Sequence, residues 1–379
     1  MIIWMALLIP VMGLIFANFL WIRKITWWEN LIPLVTVIFT IIICKILIDT
    51  SRTKDTEYWG SYVEKVCYEE PWDEYIHKTC TREVPCGTDS KGHTIYCTET
   101  YDCSYVEDHP AQYYLITNIK QTISIAPSKY CWYVQRFGNE NFQDMYRNYH
   151  SYDGNMYYTN FKGEFENIDP ITELHSYENR VAASNSIFKY DDVDTSITKK
   201  LFSYPEIIDY KVPSLLTKRK DILNYSDAFY TLNKHNAVLG KSKECRIWFL
   251  VFDDVPISYA TEQANYWKGG NKNEFIVMLS LHKDNSLNWA RVCSWTEQEE
   301  LKINVRNYFE VYNNTGAVDM YKAVQYVTDQ VNQKFVRKHF RDFDYLSVEP
   351  TLPSIMIVYT ISLIITILSI VFIVKNDIN

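Results

Sequence analysis

The sequence predicts an α+β membrane protein with three transmembrane helices, a β-rich disulfide-laced segment, and a second soluble unit in which helices cover a sheet. Three observations carry this. Three long stretches are almost free of charge, four cysteines share one index sum across a turn, and from about Ser214 helical and strand-like patterns alternate.

Residues 2–22 contain no charged side chain, residues 31–48 contain only Lys45, and residues 355–374 again contain none. Each is long enough for a helix to cross a hydrocarbon core of roughly 30 Å. The first stretch has no basic start, and bulky Trp21 and Ile22 follow its core, so it reads as a span and not as a cleaved signal peptide. Lys45 lies three residues before Ile48, from where its ammonium can snorkel to the interface. Arg23 and Lys24, flanked by Trp21, Trp27 and Trp28, mark the turn between the first two spans as cytoplasmic, and Lys375 marks the end of the third. The expected topology has the N-terminus out, the soluble part extracytoplasmic and the C-terminus cytoplasmic.

Of nine cysteines, Cys44 falls in a span. Cys80 with Cys103, and Cys86 with Cys97, share the index sum 183. Residues directly opposed in an antiparallel hairpin have a constant sum, and cysteines six apart point to one face. The implied tip is at Lys91 and Gly92, within turn-forming DSKGH. Disulfides Cys80–Cys103 and Cys86–Cys97 are therefore expected, which requires an oxidising compartment. Two alternatives stand beside this pairing: a zinc site drawing on His77, His93 and His109, for which no CxxC spacing exists, and four free thiols. Cys245 and Cys293 read as buried core thiols. Nothing decides whether Cys67 and Cys131 pair.

Residues 49–213 are rich in tyrosine and tryptophan and lack long helical periodicity, as in a β-rich region with long loops. Thirty tyrosines in the chain suit an interaction surface, and equally a β core with its rim. Residues 214–346 alternate. Ser226 is placed to cap a helix with Phe229, Leu232 and Leu239 inward, ended by Gly240. CRIWFLVF and FIVMLSL are continuous apolar runs, as in strands buried on both faces. A helix from Tyr259 to Trp267 lies between them, and KDNS turns the second run into LNWARVCSW. Thr296 and Glu299 form a capping box ahead of a helix with Leu301, Val305 and Tyr308 inward. A last helix presents Met320, Val324, Val327, Val331 and Phe335.

WFLVFDD, ATEQANYW, KGGNKNEF, IVMLSL and NWARVCSW, in this order over about residues 218–345, resemble the TPM domain, a module of membrane-anchored proteins. The resemblance covers a third of the chain and rests on pattern. It implies an α/β TPM-like sandwich domain, with metal or phosphate chemistry near the strand ends, some TPM proteins having been described as acid phosphatases. Asp253 and Asp254, at a strand end, are then the candidates for a divalent cation such as calcium; a turn and helix start explains the pair without one. Gly269, Gly270, Asn271, Lys272 and Asn273 form a loop whose amides could cradle an anion. A strand follows it and no helix N-terminus, so it is neither a Walker loop nor a dinucleotide fingerprint, and a tight helix-to-strand connection accounts for the glycines. The whole chain also resembles membrane proteins of large phages and bacteria, a resemblance that brings no known activity; a phage-encoded envelope or scaffolding protein is a third reading.

A net charge of −8 and a pI near 5.6 argue against broad nucleic-acid binding. Spans with almost no polar groups argue against a transporter. No catalytic template is present. The expected function is a membrane-tethered binding or assembly module facing the bilayer and a protein partner or further copies of itself, with no cofactor. The alternative is a TPM-like metal-dependent phosphatase.

Overall fold

The computed structural model describes residues 2–20, 25–138, 140–145, 154–184, 190–312 and 316–376. The basic pair Arg23 and Lys24 lies outside them.

Three helices are long and apolar enough to cross a membrane: Ile2–Leu20, whose first turns are 3-10, Leu31–Thr53 and Leu352–Lys375. Within these helices Thr36, Thr40, Thr360, Ser362 and Thr366 each donate to the carbonyl four residues back at 2.7–2.9 Å. Gly13 lets the first helix approach the third; a Cβ there would lie 2.9 Å from Thr366 Cγ2. Lys45 pairs with Asp49 one turn on, at 2.8 Å. The second helix extends past the expected Ile48 to Thr53 and passes without a linker into the long strand Lys54–Glu69. Asn179 N donates to Thr53 O at 2.6 Å and secures the junction.

The long strand organises the first soluble region. Its first half pairs antiparallel with Pro170–Glu178. After a bulge between Val63 and Lys65, its second half lies between Gln112–Thr117 and Met156–Asn160. Thr122–Ser124 and Asn141–Gln143 complete the six-stranded sheet. Val63, Val66, Leu115 and Ile171 pack against Tyr130, Tyr133 and Phe137 of the helix Pro127–Phe137. Gly138 closes that helix at φ 66°, its N–H donating to Val134 O.

Between the long strand and Gln112–Thr117 the chain makes a two-stranded arm. Trp72–Ile76 pairs with Tyr105–His109, and further out Thr79–Thr88 pairs with Thr94–Asp102. The disulfides are Cys80–Cys103 and Cys86–Cys97, with Cα atoms 5.8 and 5.7 Å apart. The register differs from the equal-sum expectation. Cys80 opposes Tyr101 and Cys97 opposes Val84, while Cys86 is the extra residue of a bulge between Pro85 and Gly87. The sulfurs therefore bridge diagonally, and the bulge restores a turn centred on Lys91, where Asp89 Oδ1 accepts from Lys91 N and His93 N at 2.8 Å each. Cys67 is buried and Cys131 exposed, each unpaired.

The second region is a four-stranded sheet in the order Leu215–Thr217, Arg246–Asp253, Glu274–Leu281, Leu287–Ser294, the first three parallel and the last antiparallel. Both central strands are buried on both faces. Ile247, Phe249, Val251, Phe275, Val277 and Leu279 face the helices Tyr225–Lys243, Glu299–Tyr312 and Met320–Lys334. Trp248, Leu250, Phe252, Ile276 and Met278 face Phe202, Trp267 and Trp289.

Three local expectations change. The helix expected to start after Ser226 begins at Tyr225, behind Asn224 at φ 56°, and passes Gly240 to end at Lys243. The Thr296 hydroxyl accepts from Gln298 N at 3.3 Å and donates to Val336 O at 2.7 Å, while Glu299 turns to Lys302 at 2.6 Å, so no reciprocal capping box forms. Phe309 is fully buried, whereas Tyr308 is only partly so and stacks on Tyr326 with centroids 4.0 Å apart.

Candidate functional site: the cleft beside the glycine loop

The helix Ser258–Tyr266 ends in a tight loop. Lys268, Gly269 and Gly270 all have positive φ, at 51°, 79° and 73°. Gly269 N donates to Ala264 O at 2.8 Å and Gly270 N to Trp267 O at 2.9 Å, which satisfies the last helical carbonyls. Side chains are also sterically barred. A Cβ at Gly269 would lie 2.3 Å from the Tyr190 ring, and one at Gly270 would lie 2.6 Å from Glu274 Oε2.

One backbone amide of the loop is already taken by an internal carboxyl. Asn271 N donates to Glu274 Oε2 at 2.8 Å, and Tyr204 OH donates to Glu274 Oε1. Glu274 is fully buried, and burial pushes its carboxyl above the ordinary range against the pull of these donors. The same burial, with the neighbouring Glu274 charge, raises the Tyr204 phenol well above its usual range. Asn273 Nδ2 donates to Tyr58 O at 2.9 Å, tying the loop to the long strand. Lys272 lies 4.1 Å from the centre of the Tyr177 ring.

Beside the loop opens a cleft of about 450 Å³, lined by Asp55, Asn179, Tyr190, Tyr266, Asn271 and Trp295 among others. Asp55 Oδ2 accepts from Asn179 Nδ2 at 2.7 Å and from Tyr177 OH at 3.0 Å. The arrangement offers aromatic faces, amides and one carboxylate, which is chemistry for holding a polar ligand. Among its described lining residues there is no Ser, Cys or His.

Asp253 and Asp254 stand elsewhere, at the C-terminal end of the strand Arg246–Asp253. Asp253 is exposed and lies 3.8 Å from Arg219 Nη1. Asp254, at φ 43°, lies 2.8 Å from His282 Nδ1 and accepts from Asn288 Nδ2 at 3.3 Å. The two carboxylates are thus drawn to different partners. Among the described residues no three His, Cys, Asp or Glu side chains gather as metal ligands would.

Two buried charge clusters were missed from the sequence. Arg246 and Glu274 are register partners at the heads of the two central strands, and both are buried. A charge directly before each apolar run was the available signal. Glu57 is also fully buried; it accepts from Trp59 Nε1 at 2.9 Å, lies 3.0 Å from His175 Nδ1, and is ion-paired with Arg337, which also holds Glu244 at 2.5 Å. These residues are up to 280 positions apart, so no local pattern links them.

No protein-family model, curated protein or solved structure matches the chain.

Proposed function

We propose that the chain is a membrane-tethered binding and assembly module whose soluble part lies outside the cytoplasm and docks a protein partner, or further copies of itself, through the disulfide-laced arm. The observation that carries this reading is the arm's isolation. Among the described residues its strands pair only with one another, and Tyr75, Ile95, Tyr96, Tyr101, Tyr105 and Val106 are exposed along it. A free two-stranded ribbon is marginally stable in water, and two disulfides offset that weakness. Exposed aromatic side chains on a stiff support suit protein recognition. The direct passage from the second apolar helix into the long strand supports a set position of the arm relative to the bilayer. Disulfides agree with an oxidising side, and Arg23, Lys24 and Lys375 agree with the opposite side being cytoplasmic.

The test is site-specific photo-crosslinking of the full chain in its native membrane. A photoreactive residue at Tyr96 should give a discrete adduct, and one at exposed Ile303 should not. No adduct at Tyr96, or the same adducts at both sites, would remove the reading.

One observation favours a second reading, a TPM-like metal-dependent phosphatase. The Asp254–His282 pair lies at the C-terminal edge of parallel strands, where open α/β sheets commonly bind ligands. Metal-dependent hydrolysis of p-nitrophenyl phosphate by the purified chain, lost on Asp254→Asn, would replace the first reading with this one.

A further inference from the structure

Arg246 heads the apolar run Ile247 to Phe252, yet its side chain is buried and its residue only 2% exposed. Its guanidinium donates to Thr172 Oγ1 at 3.1 Å, Val212 O at 3.2 Å and Ser214 Oγ at 2.9 Å, all neutral acceptors. Nε has no acceptor. The charge lies 4.6 Å from the centre of the Trp248 ring and 5.8 Å from that of Tyr58, which stabilises a cation without neutralising it. Its register partner Glu274 bonds instead to Tyr204 and Asn271. A buried charge with no ion pair is costly unless something offsets it. Burial pulls the Arg246 pKa down to about 10, against the opposing pull of the nearby Tyr204, Glu274 and Tyr58 groups, so the group stays cationic at neutral pH.

Arg246 lines a second cleft, of about 530 Å³, between the strands that carry Gly60 and Thr172 and the helix Tyr225–Lys243. That volume is in the range of small-molecule sites. Three further cations line it, Lys234, Arg136 and Lys211, and among the described residues the first two have no carboxylate within 4 Å. Lys234 Nζ donates to Glu166 O at 2.9 Å, and Arg136 Nη2 donates to Asn167 O at 3.3 Å. Lys211 is different, since Asp169 pairs with it at 3.0 Å. Glu166 is the other acidic residue of the lining, and it is exposed. The rest of the wall is largely apolar, with Ile171, Val212 and Phe229 prominent. One buried cation, two cations at the mouth and apolar walls match a ligand with one anionic end and an apolar body.

We propose that this cleft binds a small organic carboxylate, its charged end met by Arg246 and the mouth cations and its apolar or aromatic body lying along Ile171, Val212 and Phe229. A ligand there touches both the long-strand sheet and the helix Tyr225–Lys243, so binding also stabilises their contact.

The probe is 1-naphthylacetate, with uncharged 1-naphthylacetamide as control, titrated into the full chain in lipid nanodiscs and corrected against empty discs. The acid should bind about tenfold more tightly than the amide, since a charge-assisted bond is roughly twice as strong as a neutral one. Arg246→Gln should abolish that preference. Because Arg246→Gln could fail to fold, Lys234→Gln on the rim supplies the independent test: with an unchanged near-UV spectrum, it should weaken the acid about threefold and leave the amide unchanged. Equal binding of acid and amide, no binding of the acid at millimolar concentration, or an unaltered acid affinity in Lys234→Gln would each overturn the proposal.

Discussion

Gly240 rests directly on Gly60: a Cβ placed on Gly240 would lie 1.8 Å from the Gly60 carbonyl oxygen, and one on Gly60 would lie 2.0 Å from Asn236 O. The helix Tyr225–Lys243 therefore crosses the long strand backbone against backbone, joining the two soluble regions. Neither residue has positive φ, so lack of space demands glycine here and backbone freedom does not. Because the obstructing atoms are main chain, Gly240→Ala forces the elements apart. It should cost at least the upper part of the roughly 1–3 kcal/mol range of overpacking. Gly87, with nothing within 4 Å of its Cβ position, is the control. Equal thermal midpoints for Gly240→Ala and Gly87→Ala in the same detergent would contradict the close approach.

A second joint is electrostatic. Removing Arg337 leaves the Glu57 carboxylate buried without its ion-pair partner. Arg337→Leu should destabilise by about 3–5 kcal/mol, and adding Glu57→Gln should recover part of that loss. Denaturant unfolding of both variants measures the coupling; strictly additive effects would show that the pair is not coupled.

The arm should behave as its own unit. Replacing Cys86 and Cys97 together by Ser removes a closed loop worth roughly 3 kcal/mol in chain entropy. Amide exchange in Thr79–Asp102 should quicken by about a hundredfold, while Arg246–Asp253 keeps its protection. Peptide mapping without reductant should recover Cys80 joined to Cys103 and Cys86 to Cys97; any other pairing contradicts the arm's register.

Glu274 sets a pH dependence. Its folded pKa is raised above the unfolded value of 4.5 by burial. The folded state thus favours the protonated carboxyl, and that contribution is complete below 4.5 and lost as pH climbs through the folded pKa. Glu274→Gln should flatten the fall in thermal midpoint on the alkaline side of 4.5. A variant whose profile overlays that of the native chain would show that another group sets the slope.

Much of this architecture was legible locally. Uncharged runs of span length, the continuous apolar strands and the DSKGH turn act over a few residues, and composition specifies them wherever the rest of the chain goes. The cysteine pairs were legible because a hairpin's geometry is a short-range constraint, although the bulge at Cys86 shifted the register beneath them. The loop at Gly269 and Gly270 could be located but not interpreted, since the carboxyl it meets comes from Glu274 and its wall from Tyr190.

The sequence by itself determined which segments are long and apolar enough to cross a membrane, where the arm is laced and which strands are buried, because hydrophobic length, period and turn chemistry are local properties. Only the tertiary structure decided that Gly60 meets Gly240, that Glu57 meets Arg337, and that Arg246 lines a cleft with no described carboxylate in ion-pair contact. Those relationships join positions tens to hundreds of residues apart, and it is burial, not residue type, that gives them their energy.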